Sequence, residues 1–196
     1  MAMIRSVSLK LPFDVKALRP GQDRVRRGLF ERAVRSSNGR VLGIIHPLYF
    51  EDKINAPGKV SDNLFLQEWV SAENYGAYLS HLNAYLRVES AAMFVFTEEG
   101  LREKVESWLK GLQLTAPAAM IDTLPGNPTP KDENIIAIAK ELGVRKISLT
   151  GEVFYQEGDM AIGCVEAARL LLAPLNPDLI LELTYPNLKV PCHSRK

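Results

Sequence analysis

Residues 131–185 carry the pattern that decides the fold. They read KDENIIAIAKELGV (131–144), RKISLTGEVF (145–154), YQEGD (155–159), MAIGCVEAARLLLAP (160–174) and PDLILELTY (177–185). Apolar residues recur at helical spacing in the first and fourth segments, whereas the second and fifth are short apolar runs typical of strands. The order is therefore helix, strand, loop, helix, strand. Such alternation predicts a mainly parallel sheet with helices on both faces.

The rest of the chain continues this alternation. Strands are predicted at residues 4–11, 41–46, 91–96 and 118–121, and helices at 23–35, 63–70, 72–87 and 97–112. The predicted fold is α/β, a three-layer doubly wound arrangement with a mainly parallel sheet of about five to six strands, Rossmann-like or flavodoxin-like. An N-terminal strand and helix extend it. We interpret residues 1–40 as a basic arm packed on the main domain and residues 41–196 as the α/β domain.

Length and composition point to one globular domain. The chain has 196 residues, of which 46% are hydrophobic and 24% charged, which is enough to bury a core without disulfides. No apolar run is long enough to span a bilayer, and the N-terminus lacks the apolar region of a signal peptide. We therefore expect no membrane association, a cytoplasmic location, and reduced thiols at Cys164 and Cys192.

The charge is unevenly distributed. Residues 1–40 carry ten Lys and Arg against three acidic residues, whereas the remainder carries 14 basic and 20 acidic residues. The basic segment could dock on the acidic body, within the chain or across a dimer, remain solvated, or meet an anionic partner. A nucleic-acid partner is disfavoured because no helix-turn-helix, zinc-finger or RNP-type motif occurs. With the aromatic-rich helix at 72–87, the pattern favours a homo-oligomer, most simply a dimer.

The fold class predicts where a ligand would bind. In open parallel sheets ligands bind beyond the carboxyl ends of the strands. The strand-end loops are rich in titratable and polar side chains, a pattern typical of a site for a small polar molecule. The candidate residues are His46, Thr97, Glu98, Asp122, Asn127, Thr150, Gly151, Glu152, Tyr155, Gly163 and Cys164.

Cys164 is the sharpest catalytic candidate. If its helix starts near Gly163, the thiol lies in the first turn, where the helix dipole favours a thiolate. Gly163 would then allow close approach of a substrate, Asp122 or Glu152 could act as base, and His46 could relay a proton. If the helix starts earlier, Cys164 belongs to a buried apolar stripe and is a core residue. The sequence leaves both interpretations open.

The chain has an acid after one strand, then a basic residue, and then a helix start with Gly163, Cys164 and Val165. This arrangement resembles that in cysteine hydrolases of the isochorismatase type. The resemblance implies a hydrolase acting on a small molecule with Cys164 as nucleophile. The strand at residues 41–46 ends in His46, where that family has aspartate, and no lysine matches the family's. We therefore do not assign the chain to that family.

Known cofactor motifs are absent from the sequence. It contains no HxH, HExxH or CxxC spacing for a metal and no GxGxxG or GxxxxGK[ST] loop for a nucleotide. We therefore predict no metal and no cofactor. Two functions remain: a small-molecule enzyme with hydrolase-like chemistry, or a non-enzymatic, oligomeric binding or regulatory protein.

Overall fold

The structure is a computed structural model, and it describes residues 12–48, 72–88, 91–98, 100–112, 114, 116–131, 133–151, 155–157 and 160–180. Several sequence predictions lie outside these described residues. They are the strand at 4–11, the helix at 63–70, Glu152, Cys192 and the tail from residue 186.

Seven strands of the described chain form one sheet. They are β1 Phe13–Asp14, β2 Arg40–Ile45, β3 Met93–Glu98, β4 Ala118–Leu124, β5 Asn127–Pro130, β6 Lys146–Gly151 and, numbered in chain order, β9 Asp178–Leu179. Two short strands, β7 Tyr155–Glu157 and β8 Met160–Ile162, form a separate antiparallel hairpin. The main sheet has the order β1-β4-β3-β2-β6-β9 with every neighbour parallel, and β5 adds to β4 antiparallel. Strand order reverses direction between β2 and β6, as in Rossmann-like sheets.

Five helices flank the sheet in the described part of the chain. They are α1 Arg24–Ser36, α2 Ala72–Val88, α3 Arg102–Gly111, α4 Ile135–Glu141 and α5 Cys164–Leu171. Alternate residues of β3 point to opposite faces. Phe94 and Phe96 join the core under α1, α4 and α5, whereas Met93 and Val95 join the core under α2 and α3. The predicted three-layer, mainly parallel α/β fold is therefore confirmed, and no described helix is long and apolar enough to cross a bilayer.

Helix α1 of the basic segment packs on the central sheet. Asp23 caps the helix by accepting hydrogen bonds from two main-chain N–H groups of its first turn. The ring of Phe30 lies 5.1 Å from the ring of Phe94 on β3, and both residues are fully buried. The division into an arm at 1–40 and a body at 41–196 stays a prediction.

Two element boundaries predicted around β3 and α3 are wrong. Strand β3 continues through Thr97 to Glu98, and α3 begins at Arg102 rather than after a Thr97 cap. Pairing with β4 at Thr97 and Glu98 provides main-chain hydrogen bonds that the local sequence does not reveal.

The strand predicted at 118–121 is longer in the structure and continues into a hairpin. Strand β4 runs to Leu124, turns at Gly126 with φ of 65°, and returns as β5. Thr129 and Pro130 therefore lie in a strand and do not start a helix. Helix α4 is instead capped by Asn134, whose side-chain oxygen accepts from Ala137 N at 3.1 Å.

Gly151, the last residue of β6, lies where a side chain would not fit. A Cβ atom there would lie 2.6 Å from the carbonyl oxygen of Ile45 and 2.7 Å from Cγ2 of Val165. Because one contact is backbone, Gly151→Ala should lower the free energy of unfolding by about 1–3 kcal/mol through overpacking. Urea unfolding followed by circular dichroism measures the loss.

The matched control is Gly76→Ala in α2, where an added Cβ would meet nothing within 4 Å. Because glycine is a poor helix former, this change should raise the free energy of unfolding by about 0.5–1 kcal/mol. Equal stability of the Gly151→Ala protein and the unchanged protein would contradict the close contact.

Candidate functional site

The carboxyl ends of three adjacent strands bring polar side chains together. His46 directly follows β2, Glu98 ends β3, and Thr123 lies near the end of β4. Glu98 and Thr123 are register partners, and the last residue of β2, Ile45, pairs with Phe96. Parallel pairing therefore aligns the three ends at one edge of the sheet.

His46 leaves the strand in a backbone conformation that side chains rarely adopt. Its φ is 48°, and its N–H still donates to the carbonyl oxygen of Phe96 at 2.9 Å. A non-glycine residue in this region costs about 1–3 kcal/mol and persists only where surrounding contacts enforce it. Here the imidazole crosses the end of β3 and reaches Thr123 on β4, with Nε2 and Oγ1 3.0 Å apart.

The hydrogen-bond network assigns the tautomer of His46. The hydroxyl of Thr123 donates to the carbonyl oxygen of Thr97 at 3.0 Å. Its oxygen therefore accepts a hydrogen bond, and Nε2 of His46 carries the donated proton. In the neutral ring this leaves Nδ1 as an acceptor, 3.5 Å from Oε1 of Glu98.

Glu98 and His46 form a buried acid–base pair. The side chain of His46 is 1% exposed and that of Glu98 is 16% exposed. Nδ1 has no hydrogen-bond partner among the described residues, and Oε1 of Glu98 accepts from Gly126 N at 2.9 Å. Burial lowers the pKa of His46 below its ordinary value of 6.5, and the nearby Glu98 carboxylate opposes that shift. Because burial is the larger cause, the neutral ring is favoured at pH 7.

A cavity opens on the far side of Glu98. Its volume is about 200 Å³, and its lining residues are Glu98, Gly100, Arg102, Asp122 and Lys131. Sites for drug-sized ligands are about 300–1,000 Å³. The cavity is therefore smaller than such sites, and four of its five described lining residues are charged.

Arg102 is the most heavily engaged cation at this edge. Its guanidinium donates to both carboxylate oxygens of Asp122 at 2.7 and 2.8 Å, and it lies 3.1 Å from Asp14 and 3.4 Å from Glu106. Burial by itself would lower the pKa of Arg102, but these carboxylates outweigh burial and raise it. Arg102 thus ties β1, β4 and α3 together.

Three predicted ligand-binding residues lie within the sheet. Thr97 and Thr150 are fully buried, and their hydroxyls have no hydrogen-bond partner among the described residues. Gly151 is packed against β2 and α5. Thr97, Thr150 and Gly151 are therefore packed inside the protein at the carboxyl edge of the sheet.

The other predicted binding residues lie in turns. Asn127 is exposed, and its side-chain oxygen accepts from the N–H and hydroxyl of Thr129, which shapes the β4–β5 hairpin. Tyr155 lies in β7, and Gly163 precedes α5 with φ of 111°. Neither Asn127 nor Gly163 is among the residues that line the 200 Å³ cavity.

Cys164 is both the first residue of α5 and buried. Gly163 occupies the cap position, and Cys164 joins Val165 and Ala168 in the core cluster. The prediction that α5 starts near Gly163, with the thiol in its first turn, is therefore correct. The prediction that Cys164 belongs to a buried apolar group is also correct. Asp122 pairs with Arg102, and Glu152 lies outside the described residues, so the catalytic role of Cys164 stays a prediction.

Sequence reasoning missed several residues of this site. They are Gly100, Arg102, Gly126 and Lys131. Arg102 carried a usable signal, because a cation in the first turn of a helix opposes the helix dipole and calls for acidic partners from elsewhere in the fold. No group of three or more His, Cys, Asp or Glu side chains among the described residues is arranged to hold a metal.

The fold and this edge together define an α/β protein with a Rossmann-like strand order and a polar cavity at the carboxyl ends of its strands. No family model, no curated protein and no solved structure matches the chain. Proposals about its function therefore rest on its own residues.

The buried pair predicts an acid-shifted histidine. The pKa of His46, followed by NMR of its ring protons with His46→Asn for assignment, should lie below 6.5. Because the unfolded chain takes up this proton more readily, acidification from pH 6.5 should destabilise the fold until the folded pKa is passed.

The variant Glu98→Gln tests the direction in which Glu98 shifts the pKa of His46. Removing the carboxylate removes the interaction that raises the pKa of His46, so this pKa should fall further. Glu103→Gln, at an exposed position of α3, is the control and should leave it unchanged. A pKa of His46 above 6.5, or a rise in Glu98→Gln, would contradict the assignment.

Proposed function

We propose that the protein binds a small polar molecule in the cavity beside Glu98 and exchanges a proton with it through that carboxylate. One observation carries the proposal. The carboxylate of Glu98 lines a cavity and lies 3.5 Å from Nδ1 of the buried His46, which has no hydrogen-bond partner among the described residues. An unpartnered buried polar atom destabilises a fold and so calls for an explanation, and titratable groups with perturbed pKa values cluster at functional sites.

The two side chains have different roles in this proposal. Glu98 lines the cavity and is the group that contacts the bound molecule. His46 lies behind it and acts as a positioning residue. When the carboxylate takes a proton from the bound molecule, the electron pair stays on that molecule and the new carboxyl O–H can donate to Nδ1.

The arrangement supports reversible proton transfer because each partner is held in place. Gly126 N–H fixes Oε1 of Glu98, and Thr123 fixes the ring of His46 through Nε2. Rigid orientation reduces the reorganisation that a proton transfer in water would require.

A second candidate is cysteine-dependent hydrolysis, the activity that the isochorismatase-type resemblance implies. The observation that favours it is the position of Cys164, the first residue of α5 on the chain segment after β6. Its nucleophile would be the thiol of Cys164, so it predicts reactivity at a different place from the cavity beside Glu98.

A binding or regulatory protein without chemistry is the alternative to both enzymes. It would use the same cavity and work as a cytoplasmic homodimer. Support comes from the basic segment 1–40, whose Arg24, Arg32 and Arg35 are exposed on α1 and face away from Phe30 and Val34 in the core.

A ligand screen by ¹⁵N-resolved NMR tests the main proposal. We expect small polar molecules carrying amine, amide, alcohol or carboxylate groups to include binders that shift the amides of Gly100 and Gly126 together with the ring nitrogens of His46. Gly39 is the control amide, since it precedes β2 at the opposite edge of the sheet. Binders that shift only the amides near Gly163 would favour the cysteine site, and the absence of any shift at Gly100 and Gly126 would refute the cavity.

Cys164 alkylation tests the second candidate. In a Cys192→Ser background we expect iodoacetamide to react slowly with the native protein, because Cys164 is only 9% exposed, and fast once urea unfolds the chain. The rate is measured by mass spectrometry across pH. If the native protein reacted as fast as the unfolded chain, the thiol of Cys164 would not be buried. That result would support Cys164 as the nucleophile.

A further inference from the structure

The charges around the cavity are not evenly compensated. Arg102 lines the cavity, but its guanidinium already contacts three carboxylates, those of Asp122, Asp14 and Glu106. Both oxygens of Asp122 accept from Arg102. Arg102 is therefore already neutralised by protein groups and offers little attraction to an anionic ligand. Lys131, the other cation of the lining, also has a partner within the protein.

Glu98 is the carboxylate that this arrangement leaves uncompensated. Among the described residues it contacts the N–H of Gly126 and the ring of His46, and no Lys or Arg there forms an ion pair with it. A mostly buried carboxylate is unfavourable unless a positive charge pairs with it. The neutral ring of His46 does not supply that charge.

We infer that the ligand of the cavity presents an ammonium or guanidinium group to Glu98. The inference rests on the proposed function and names the chemical class of the molecule bound there. A cationic donor in the cavity would pair with Glu98, which lines the cavity and has no ion pair with a Lys or Arg of the described residues. The volume of about 200 Å³ restricts the ligand to a small amine or guanidine.

The chemistry of the pair agrees with this ligand class. An ammonium group bound at Glu98 can pass a proton to the carboxylate and leave as the neutral amine, and the carboxyl proton then faces Nδ1 of His46 at the 3.5 Å contact. In the reverse direction the carboxyl group protonates a bound amine. No oxidant, reductant or metal takes part in either direction.

Three probes of similar size but different charge test the inference on the unchanged protein. They are n-butylammonium chloride, sodium propionate and 1-butanol, each titrated at constant ionic strength. The amide shifts of Gly100 and Gly126 report occupancy, and the Gly39 amide is the remote control. We expect n-butylammonium to bind about tenfold more tightly than 1-butanol, the size of a charge-assisted hydrogen bond, and propionate to bind most weakly.

Two variants locate the charge responsible. Glu98→Gln keeps the shape of the side chain and an acceptor for Gly126 N–H, so it should reduce n-butylammonium affinity to that of 1-butanol. Glu103→Gln removes an equal charge from an exposed position of α3 outside the cavity lining and should leave the affinity unchanged. The comparison of the three probes decides the question even if Glu98→Gln does not fold.

The outcomes separate this inference from the proposed function. If none of the probes shifts Gly100 or Gly126, the cavity does not bind small polar molecules and both ideas fail. If propionate or 1-butanol binds as tightly as n-butylammonium, the cavity stands and the cationic ligand is wrong. An n-butylammonium affinity that Glu98→Gln leaves unchanged would likewise overturn the inference.

Discussion

The parallel pairing of β2 with β3 on one side and β6 on the other is the constraint on which the rest of the structure depends. Register partners run from Leu42–Met93 to Ile45–Phe96 on one side and from Arg40–Lys146 to Ile45–Gly151 on the other. This pairing places β2 in the middle of the sheet, buries it on both faces, and brings its carboxyl end level with its neighbours. The position of His46 beside Glu98 and Thr123 follows from that alignment.

The alignment also brings together three features that lower the stability of the fold. His46 has a left-handed backbone, its Nδ1 lacks a hydrogen-bond partner among the described residues, and Glu98 beside it lacks a basic partner there. Each feature is unfavourable for folding alone. An ordinary structural histidine would need none of them, since Thr123 already satisfies Nε2. Of His46 and Glu98, Glu98 lines the cavity, and its contact with His46 is what the proposed proton exchange would use.

Much of the fold is predictable from the sequence, and less of the site. Apolar runs and helical spacing identify β2, β6, α1 and α4, because their local pattern agrees with their burial. His46 and Glu98 are predictable as strand-end residues, because parallel strands end at one edge. The need of Arg102 for acidic partners is predictable, but the identity of those partners is not, since it depends on which strands are neighbours. The strand order and the β4–β5 hairpin depend likewise on pairing between distant segments, which no single segment encodes.

The strand order suggests a second location for a ligand, apart from the cavity beside Glu98. Open sheets of this type usually bind ligands where the order reverses, here between β2 and β6. On the α5 side of that position Gly151 lies so close to Ile45 and Val165 that even a methyl group would not fit. His46, meanwhile, turns away from β6 across the end of β3 toward β4. The cavity described above lies instead at the carboxyl ends of β3 and β4, where Glu98 forms no ion pair with a Lys or Arg of the described residues.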